Sequence, residues 1–208
     1  EELIKAVEKI RVTQNAVELV VDLNVLGLAT KLDVSVILED NEIVGLSLRN
    51  LVIEGDPLLR KTSRPVDEIT PRIIKLLDDM ADTMYFEGRG IGIAAPQVGV
   101  LRRVFVIDVG DEHGLIEFIN PEIIETSGSQ TDNEGCLSVP GKTCEVERPE
   151  HVKIKALNRN GEEFELEADG LLARCIQHEC DHLDGILYVT KVEGELVDKE
   201  VEEDEDEE

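Results

Sequence analysis

Two histidines four residues apart constrain this chain more than any other feature of its sequence. His178 and His182 flank Glu179 in the segment His178-Glu179-Cys180-Asp181-His182, which has the pattern of a helix. Because residues i and i+4 lie on the same side of a helix, both imidazoles can bind one metal ion. An ordinary helix with two surface histidines is the alternative, but the chain has only four histidines. The spacing therefore predicts a metal site, with Glu179 beside the first ligand as its general base.

The third protein ligand of such a site has to come from elsewhere in the chain, because a catalytic metal usually takes three protein ligands and keeps one position open. Cys136, in Glu134-Gly135-Cys136-Leu137-Ser138, offers a thiolate, although a lone cysteine is more often a small buried apolar residue. A zinc endopeptidase would instead use a glutamate beyond the second histidine, and Glu202 follows His182 by twenty residues. Nearly every residue around Glu202 is acidic, so that match carries little information.

A third motif is the segment Gly90-Ile91-Gly92-Ile93-Ala94-Ala95-Pro96-Gln97. It resembles the GxGxxA form of a dinucleotide-binding loop, which requires a strand before the glycines and a helix after them. Here a helix pattern precedes the glycines and a strand pattern follows them. The order favours a loop that brings its backbone close to a ligand, with a merely tight turn as the alternative.

Composition limits the remaining classes of function. The chain has 208 residues, of which 41% are hydrophobic, and no apolar run approaches the ~20 residues that cross a bilayer. It starts with Glu1-Glu2 and lacks the pattern of a signal peptide, which predicts a cytoplasmic location. Its four cysteines include no CxxC pair, so reduced thiols are expected. A net charge of -26 disfavours a phosphate backbone as partner, and neither DNA nor a membrane is expected as a partner.

Three parts are predicted along the chain. Residues 1–46 form an N-terminal extension of unknown role, in which no chemistry is recognisable. Residues 47–192 form the catalytic domain. Residues 193–208 contain eleven acidic residues and one lysine, a composition that predicts a solvated, disordered tail.

The hydrophobic patterns predict an α+β fold. In the extension, the spacing of Leu3, Val7 and Ile10 indicates a short helix, and a hairpin is predicted further on, at 34–38 and 43–48. In the catalytic domain, Thr70-Pro71 predicts the start of one helix, and a second is expected from about Gly170 to Asp184, ended by Gly185. Largely antiparallel strands are expected at 104–107, 116–119, 152–157 and 164–166.

The three motifs, in the order GxGxAAxQ, EGCLS and HExDH, closely resemble the signature motifs of bacterial-type peptide deformylases. The resemblance covers about Ser47 to Lys191 and includes the segment Val52–Arg60. It implies mostly antiparallel strands packed around a central helix that carries HExxH. It also implies a metal-dependent hydrolase that removes the N-formyl group from the formylmethionine of nascent polypeptides and releases formate.

The resemblance further implies roles for individual residues. Gln97 and the backbone N–H of Leu137 would donate to the formyl oxygen, and Glu179 would be the general base. The native metal would be Fe(II), with Zn(II), Ni(II) or Co(II) able to substitute, bound by Cys136, His178 and His182. The substrate would be bound by six residues from or near the three motifs: Ile91, Gly92, Glu134, Leu171, Arg174 and Cys175.

Three features qualify the resemblance. Family members often end in a basic or amphipathic segment, whereas this chain ends in acidic residues 202–208, so docking to ribosomal RNA through the tail is disfavoured, and transient ribosome association stays open. Asp132 stands where a hydrophobic residue often lines the pocket, and Thr143 where an arginine occurs. An inactive metal-binding relative is a further alternative, but binding alone needs no base and no oxyanion donor.

A supporting ion pair is also predicted near the metal site. Asp181 lies in the same helix as the two histidines but faces away from them, and Arg148 ends a preceding strand pattern. We hypothesise that the two residues pair and hold the helix against the strands.

Overall fold

The computed structural model divides into two compact units, Glu1–Arg49 and Asn50–Glu208. It describes residues 48–88 and 90–191, and the strand backbone at 7–12, 16–22, 31–39, 42–45 and 197–198. The predictions for Leu3 and for most of the acidic tail fall outside these residues. No helix of the described part is long and apolar enough to cross a membrane.

The described strands of the first unit form a four-stranded antiparallel sheet in chain order, and the last two of them pair as the predicted hairpin. The short helix predicted through Val7 and Ile10 is wrong, because both residues lie in a strand. Valine and isoleucine favour extended backbone, and pairing with the next strand supplies the hydrogen bonds that a helix would have made. The strands are β1 (Val7–Val12), β2 (Ala16–Asp22), β3 (Lys31–Glu39) and β4 (Glu42–Gly45).

In its described residues, the second unit combines two α-helices with two antiparallel sheets. Its helices are α1 (Pro71–Phe86) and α2 (Gly170–Leu183). The larger sheet has the order β11-β10-β7-β6-β5, with β5 at Gly92–Ala94, β6 at Val104–Ile107, β7 at Ile116–Ser127, β10 at His151–Leu157 and β11 at Glu163–Asp169. The smaller sheet has the order β12-β9-β8, with β8 at Gln130–Cys136, β9 at Val139–Arg148 and β12 at Val197–Asp198. The predicted mixture of helices and mostly antiparallel strands is confirmed, as are the four strands predicted in this unit.

Helix α1 starts where the sequence predicts. Thr70 has an extended conformation at the N-cap and Pro71 occupies the first turn, whose N–H groups need no partner within the helix. The Thr70 side chain makes no capping hydrogen bond, so the proline defines this start. The apolar face of α1, which includes Leu77 and Met80, is buried and packs against residues of β5 and β6, including Ile93 and Val104.

Helix α2 packs on the larger sheet through its apolar residues. Leu172, Ile176 and Leu183 lie in one buried cluster with Phe105 and Phe118 of the sheet. Each fully buried aliphatic side chain of this size contributes about 1.5–3 kcal/mol relative to an exposed one. This packing fixes the position of the helix that carries both predicted histidine ligands.

Strands β8 and β9 are not predicted by the sequence pattern. β8 is the polar segment Gln130–Cys136, which lacks the alternation of a half-buried strand. It forms nonetheless because it pairs along its length with β9, with a register shift next to Cys136. The pairing places the thiol at the end of β8.

The end of α2 depends on a close approach between two backbone segments. Gly185 has φ +74, and a Cβ atom built on it would lie 2.6 Å from both the carbonyl carbon and the oxygen of Arg60. The amide of Ser63 donates to the carbonyl of Leu183 at 2.7 Å in the same region. The segment 60–63 can therefore contact the C-terminus of α2 only because residue 185 has no side chain.

We predict that Gly185→Ala lowers the free energy of unfolding by about 2–4 kcal/mol, because the left-handed conformation and the backbone overlap both oppose a side chain. Urea denaturation measures the loss. Gly110→Ala is the matched control, since Gly110 has φ +76 but nothing within 4 Å of its Cβ position. Equal losses in the two variants would contradict the role of the contact with Arg60.

Candidate metal centre

Cys136, His178 and His182 bring one ligand atom each to the same place. The Sγ of Cys136 lies 3.2 Å from Nε2 of His182, and the three ligand atoms lie within 4.8 Å of one another. The rings of the two histidines, one helical turn apart on α2, have centroids 4.9 Å apart. Ligand atoms of a tetrahedral zinc-sized ion stand about 3.5 Å apart, so one sulfur and two nitrogens at this spacing fit a divalent cation.

A buried carboxylate orients the first histidine. Glu134 Oε2 lies 3.0 Å from Nδ1 of His178. A carboxylate at this position holds the proton on Nδ1 and leaves Nε2 to face a metal. Glu134 also accepts hydrogen bonds from Arg148 and Arg174, whose nitrogens lie at 2.8 Å and 2.7 Å. Burial disfavours the charge of Glu134, but Arg148 and His178 hold its pKa well below the usual range.

The same arginine also contacts α2 directly. Arg148 Nη1 donates to Asp181 Oδ2 at 2.8 Å, which confirms the predicted ion pair. Lys191 also forms an ion pair with Asp181, with its Nζ atom 2.7 Å from Oδ2. Since Arg148 ends β9 and is 3% exposed, this pair joins the smaller sheet to the helix that carries the histidines.

Glu179 is buried next to these groups. Its side chain is 2% exposed, and its Oε2 atom has no hydrogen-bond partner among the described residues. Burial raises the pKa of Glu179 to about 7. A cation bound to the neighbouring side chains would lower that pKa, because it favours the charged carboxylate.

Glycine at position 92 leaves room for this carboxylate. A Cβ atom on Gly92 would lie 2.7 Å from Glu179 Oε1 and 2.7 Å from Cys175 Sγ. The first residue of β5 therefore contacts α2 directly, as expected for a glycine motif that permits close backbone approach.

Gln97 presents its amide nitrogen to the centre. Its Oε1 atom accepts a hydrogen bond from the amide of Ala94 at 2.8 Å, which fixes the orientation of the side chain. Its Nε2 atom lies 3.5 Å from Cys136 Sγ and 3.3 Å from Ser138 Oγ. Gln97 is 1% exposed and lies in a 3-10 helix, Ala95–Val98, that follows β5.

The two histidines differ in their electrostatic surroundings. Burial opposes protonation of His178, but hydrogen bonds to Cys136 and Glu134 raise its pKa to about 10. Burial and the nearby charge of His178 lower the pKa of His182. A metal ion would compete with the proton on His178, because a ligating imidazole binds through a neutral nitrogen.

A cavity of about 450 Å³ opens beside these groups. The six residues that the sequence predicts as substrate-binding all line it, together with Gln97, Leu137, Cys136, His178 and Glu179. Asp132, expected at the pocket, is exposed and absent from the lining, where Asn133 is found instead. The sequence pattern also missed five further lining residues, Glu87, Val139, Pro140, Gly141 and Lys142. Glu202, the ligand of the peptidase alternative, lies outside the described residues.

Comparison with known proteins assigns the chain to a family. The family model for polypeptide deformylase matches residues 48–196. A peptide deformylase of Agathobacter rectalis is 58% identical over 153 residues, which cover 74% of this chain and 95% of that protein.

Solved structures agree with this assignment. The crystal structure of peptide deformylase from Thermotoga maritima superposes with a TM-score of 0.68 at 41% identity, covering 71% of this chain and 99% of that one. The structure of the enzyme from Synechococcus elongatus, in complex with actinonin, superposes with a TM-score of 0.67 at 44% identity. The match covers 70% of this chain and 81% of that one. The chain belongs to the polypeptide deformylase family.

Proposed function

We propose that this protein is a metal-dependent hydrolase that removes the N-formyl group from the N-terminal formylmethionine of nascent polypeptides and releases formate. The observation that carries the proposal is the meeting of Cys136, His178 and His182 beside the buried carboxylate of Glu179, at the wall of a cavity. Membership of the deformylase family supports the same activity.

The three ligands would hold one divalent ion, and we propose Fe(II) as the native metal. A thiolate with two imidazoles is a softer donor set than carboxylates, and it suits Fe(II) as well as Zn(II), Ni(II) and Co(II). When bound, the ion supplies Lewis-acid chemistry at the formyl group and activates water.

Glu179 would transfer a proton from the attacking water to the departing amine. Its carboxylate takes a proton from the attacking water and then gives it to the departing amine, so that the amine leaves uncharged. The buried Oε2 atom without a partner supports this role, because no other described group competes for it.

Two donors would stabilise the negative charge that develops on the formyl oxygen. Gln97 contributes its amide nitrogen, which is already oriented by the bond from Ala94. The backbone N–H of Leu137, next to the ligand Cys136, would be the second. Loss of one donor in comparable oxyanion sites costs about 3 kcal/mol of transition-state stabilisation.

The cavity would hold the methionine side chain. Apolar surface from Ile91, Leu171 and Cys175 lines it, and the thiol of Cys175 stays protonated because burial raises its pKa. Arg174, paired with Glu134, would contribute its aliphatic stem. Ile91 and Gly92 would bind the peptide main chain.

We further propose that residues 47–192 are the catalytic domain, with α2 as its central helix. The packing of α2 on the larger sheet supports this. Residues 1–46 would be an extension of unknown role, and 193–208 an acidic tail. Nascent peptides would be the partners, with ribosome contact transient and independent of the tail. The cytoplasmic location stays a prediction of the sequence.

The identity of the third ligand separates this function from that of an HExxH endopeptidase. We predict that the protein, prepared anaerobically with Fe(II), releases formate from a formyl-methionyl peptide. Cys136→Ser should lose both the bound metal and this activity, since a hydroxyl is a poor ligand for soft divalent ions. Metal analysis and a formate assay measure the two effects.

Glu202→Gln is the matched control and should keep metal and activity. If Cys136→Ser kept its metal and Glu202→Gln lost it, the endopeptidase would be favoured. Bound metal without formate release in the unmodified protein would favour an inactive relative.

The approach of β5 to α2 predicts a selective defect in catalysis. In Gly92→Ala, the added methyl group would displace Glu179, so we expect kcat to fall at least about tenfold, in keeping with the 10²–10⁴-fold contribution of a positioned base. Metal content should stay at the unmodified level, because none of the three ligands is displaced. Gly110→Ala, which meets no neighbour, should leave kcat unchanged. Unchanged kcat in Gly92→Ala would refute the positional argument.

The ion pair between β9 and α2 predicts an effect on metal affinity. Arg148→Ala should weaken metal binding about 10- to 100-fold, because the carboxylate that orients His178 loses its main partner. Competition with a chelator measures this. Asp181→Ala, which leaves the bonds between Arg148 and Glu134 in place, should fold and show a smaller loss. If Arg148→Ala and Asp181→Ala both bound metal as tightly as the unmodified protein, the proposed coupling between the ion pair and the metal site would be refuted.

A further inference from the structure

Tyr85 and Asp108 join the two ends of a short segment that forms one wall of the cavity. Tyr85 lies in the last turn of α1, and its hydroxyl donates to Asp108 Oδ2 at 2.6 Å. Asp108 directly follows β6, and its backbone amide donates to the carbonyl of Ile91 at 2.9 Å. One aspartate therefore binds the chain at residue 85 through its side chain and at residue 91 through its backbone.

This aspartate is itself held in place. Its second carboxylate oxygen, Oδ1, accepts a hydrogen bond from the amide of Gly110 at 2.9 Å. Burial and the neighbouring Asp108 raise the pKa of Tyr85 to about 12, so the phenol stays a donor at neutral pH. Neither residue is a predicted metal ligand or lines the cavity.

The segment that the two residues close needs an external constraint. It contains Gly88, with φ +67, and Gly90, and glycine gives up more backbone freedom on ordering than any other residue. Glu87, Gly90 and Ile91 of this segment line the cavity, and Ile91 is 38% exposed there. The carbonyl of Ile91 also accepts a long hydrogen bond, of 3.6 Å, from Cys175 Sγ.

We propose that Tyr85 is a positioning residue for the substrate peptide, which acts through Asp108 to hold the described wall residues, 86–88 and 90–91, in the conformation that binds the peptide main chain. The inference rests on the proposed function, since it assigns that segment to the formyl-peptide substrate. Tyr85 is half exposed, so its hydroxyl adds little to global stability and acts on local order.

Loss of this hydrogen bond would lower the fraction of molecules with a binding-competent wall, and the apparent affinity falls by that fraction. The proposed catalytic groups lie on α2, at the end of β8 and directly after it, and in the 3-10 helix after β5, outside the segment. The effect should therefore fall on KM and on peptide affinity, with kcat and metal content preserved.

Tyr85→Phe removes only the hydroxyl and tests the proposal. We expect KM for a formyl-methionyl peptide to rise about fivefold, the effect of one modest hydrogen bond, with kcat within about twofold of the unmodified protein. The affinity for the peptide Met-Ala-Ser, the one bound in a structure of the Acinetobacter baumannii relative, should fall by the same factor in calorimetry. Amide exchange at residues 87, 88, 90 and 91 should become faster.

Two further variants sharpen the test. Asp108→Asn keeps an acceptor for the phenol and should have a smaller effect, and combining it with Tyr85→Phe should add little. Arg159→Gln breaks another bond of α1, the 2.7 Å contact with Asp78, and should leave KM unchanged. An unchanged KM and unchanged Met-Ala-Ser affinity in Tyr85→Phe, or a loss confined to kcat, would overturn the proposal.

Failure of the proposed function gives a different result. If the unmodified protein released no formate, the proposed deformylase function would be refuted. Met-Ala-Ser affinity and amide exchange would still report whether the hydroxyl orders this wall. Unchanged affinity and exchange in Tyr85→Phe would then refute the positioning role by itself.

Discussion

The carboxylate of Glu134 is the constraint on which the metal centre depends. A buried charge costs several kcal/mol unless it is paired and hydrogen-bonded, and Glu134 meets Arg148, Arg174 and His178 at once. These partners come from β9 and α2, while Glu134 belongs to β8, two residues before Cys136. The same interactions that compensate the charge therefore bring the thiol-bearing strand to the histidine-bearing helix.

Close backbone contacts complete the arrangement around this charge cluster. Gly92 allows β5 to approach Glu179, and Gly185 allows the segment 60–63 to contact the end of α2. At the cavity wall, the hydroxyl of Tyr85 donates to the carboxylate of Asp108, and the backbone amide of Asp108 donates to the carbonyl of Ile91. In the proposed mechanism, substrate binding and proton transfer depend on different contacts, so affinity and turnover are expected to change independently.

Much of the fold could be predicted because local periodicity reports burial. Helix α1 and helix α2 follow the spacing of their apolar residues, and Pro71 and Gly185 indicate where each begins or ends. The pattern failed for Val7–Val12, where extended pairing overrode a helical spacing of apolar residues. It also missed β8, since a polar strand defined by its partner carries no hydrophobic alternation.

The sequence by itself determined which chemical groups are available and which lie close together along the chain. The spacing of His178 and His182 sets their common direction, because the geometry of one helical turn is the same in any helix. Only the tertiary structure decided that Cys136 Sγ reaches within 3.2 Å of His182. It also decided that Arg148 and Arg174 share one carboxylate, and that Asn133 lines the cavity where Asp132 was expected. Such contacts join residues tens of positions apart, and their distances follow from strand pairing and from the compensation of buried charge, which no local pattern encodes.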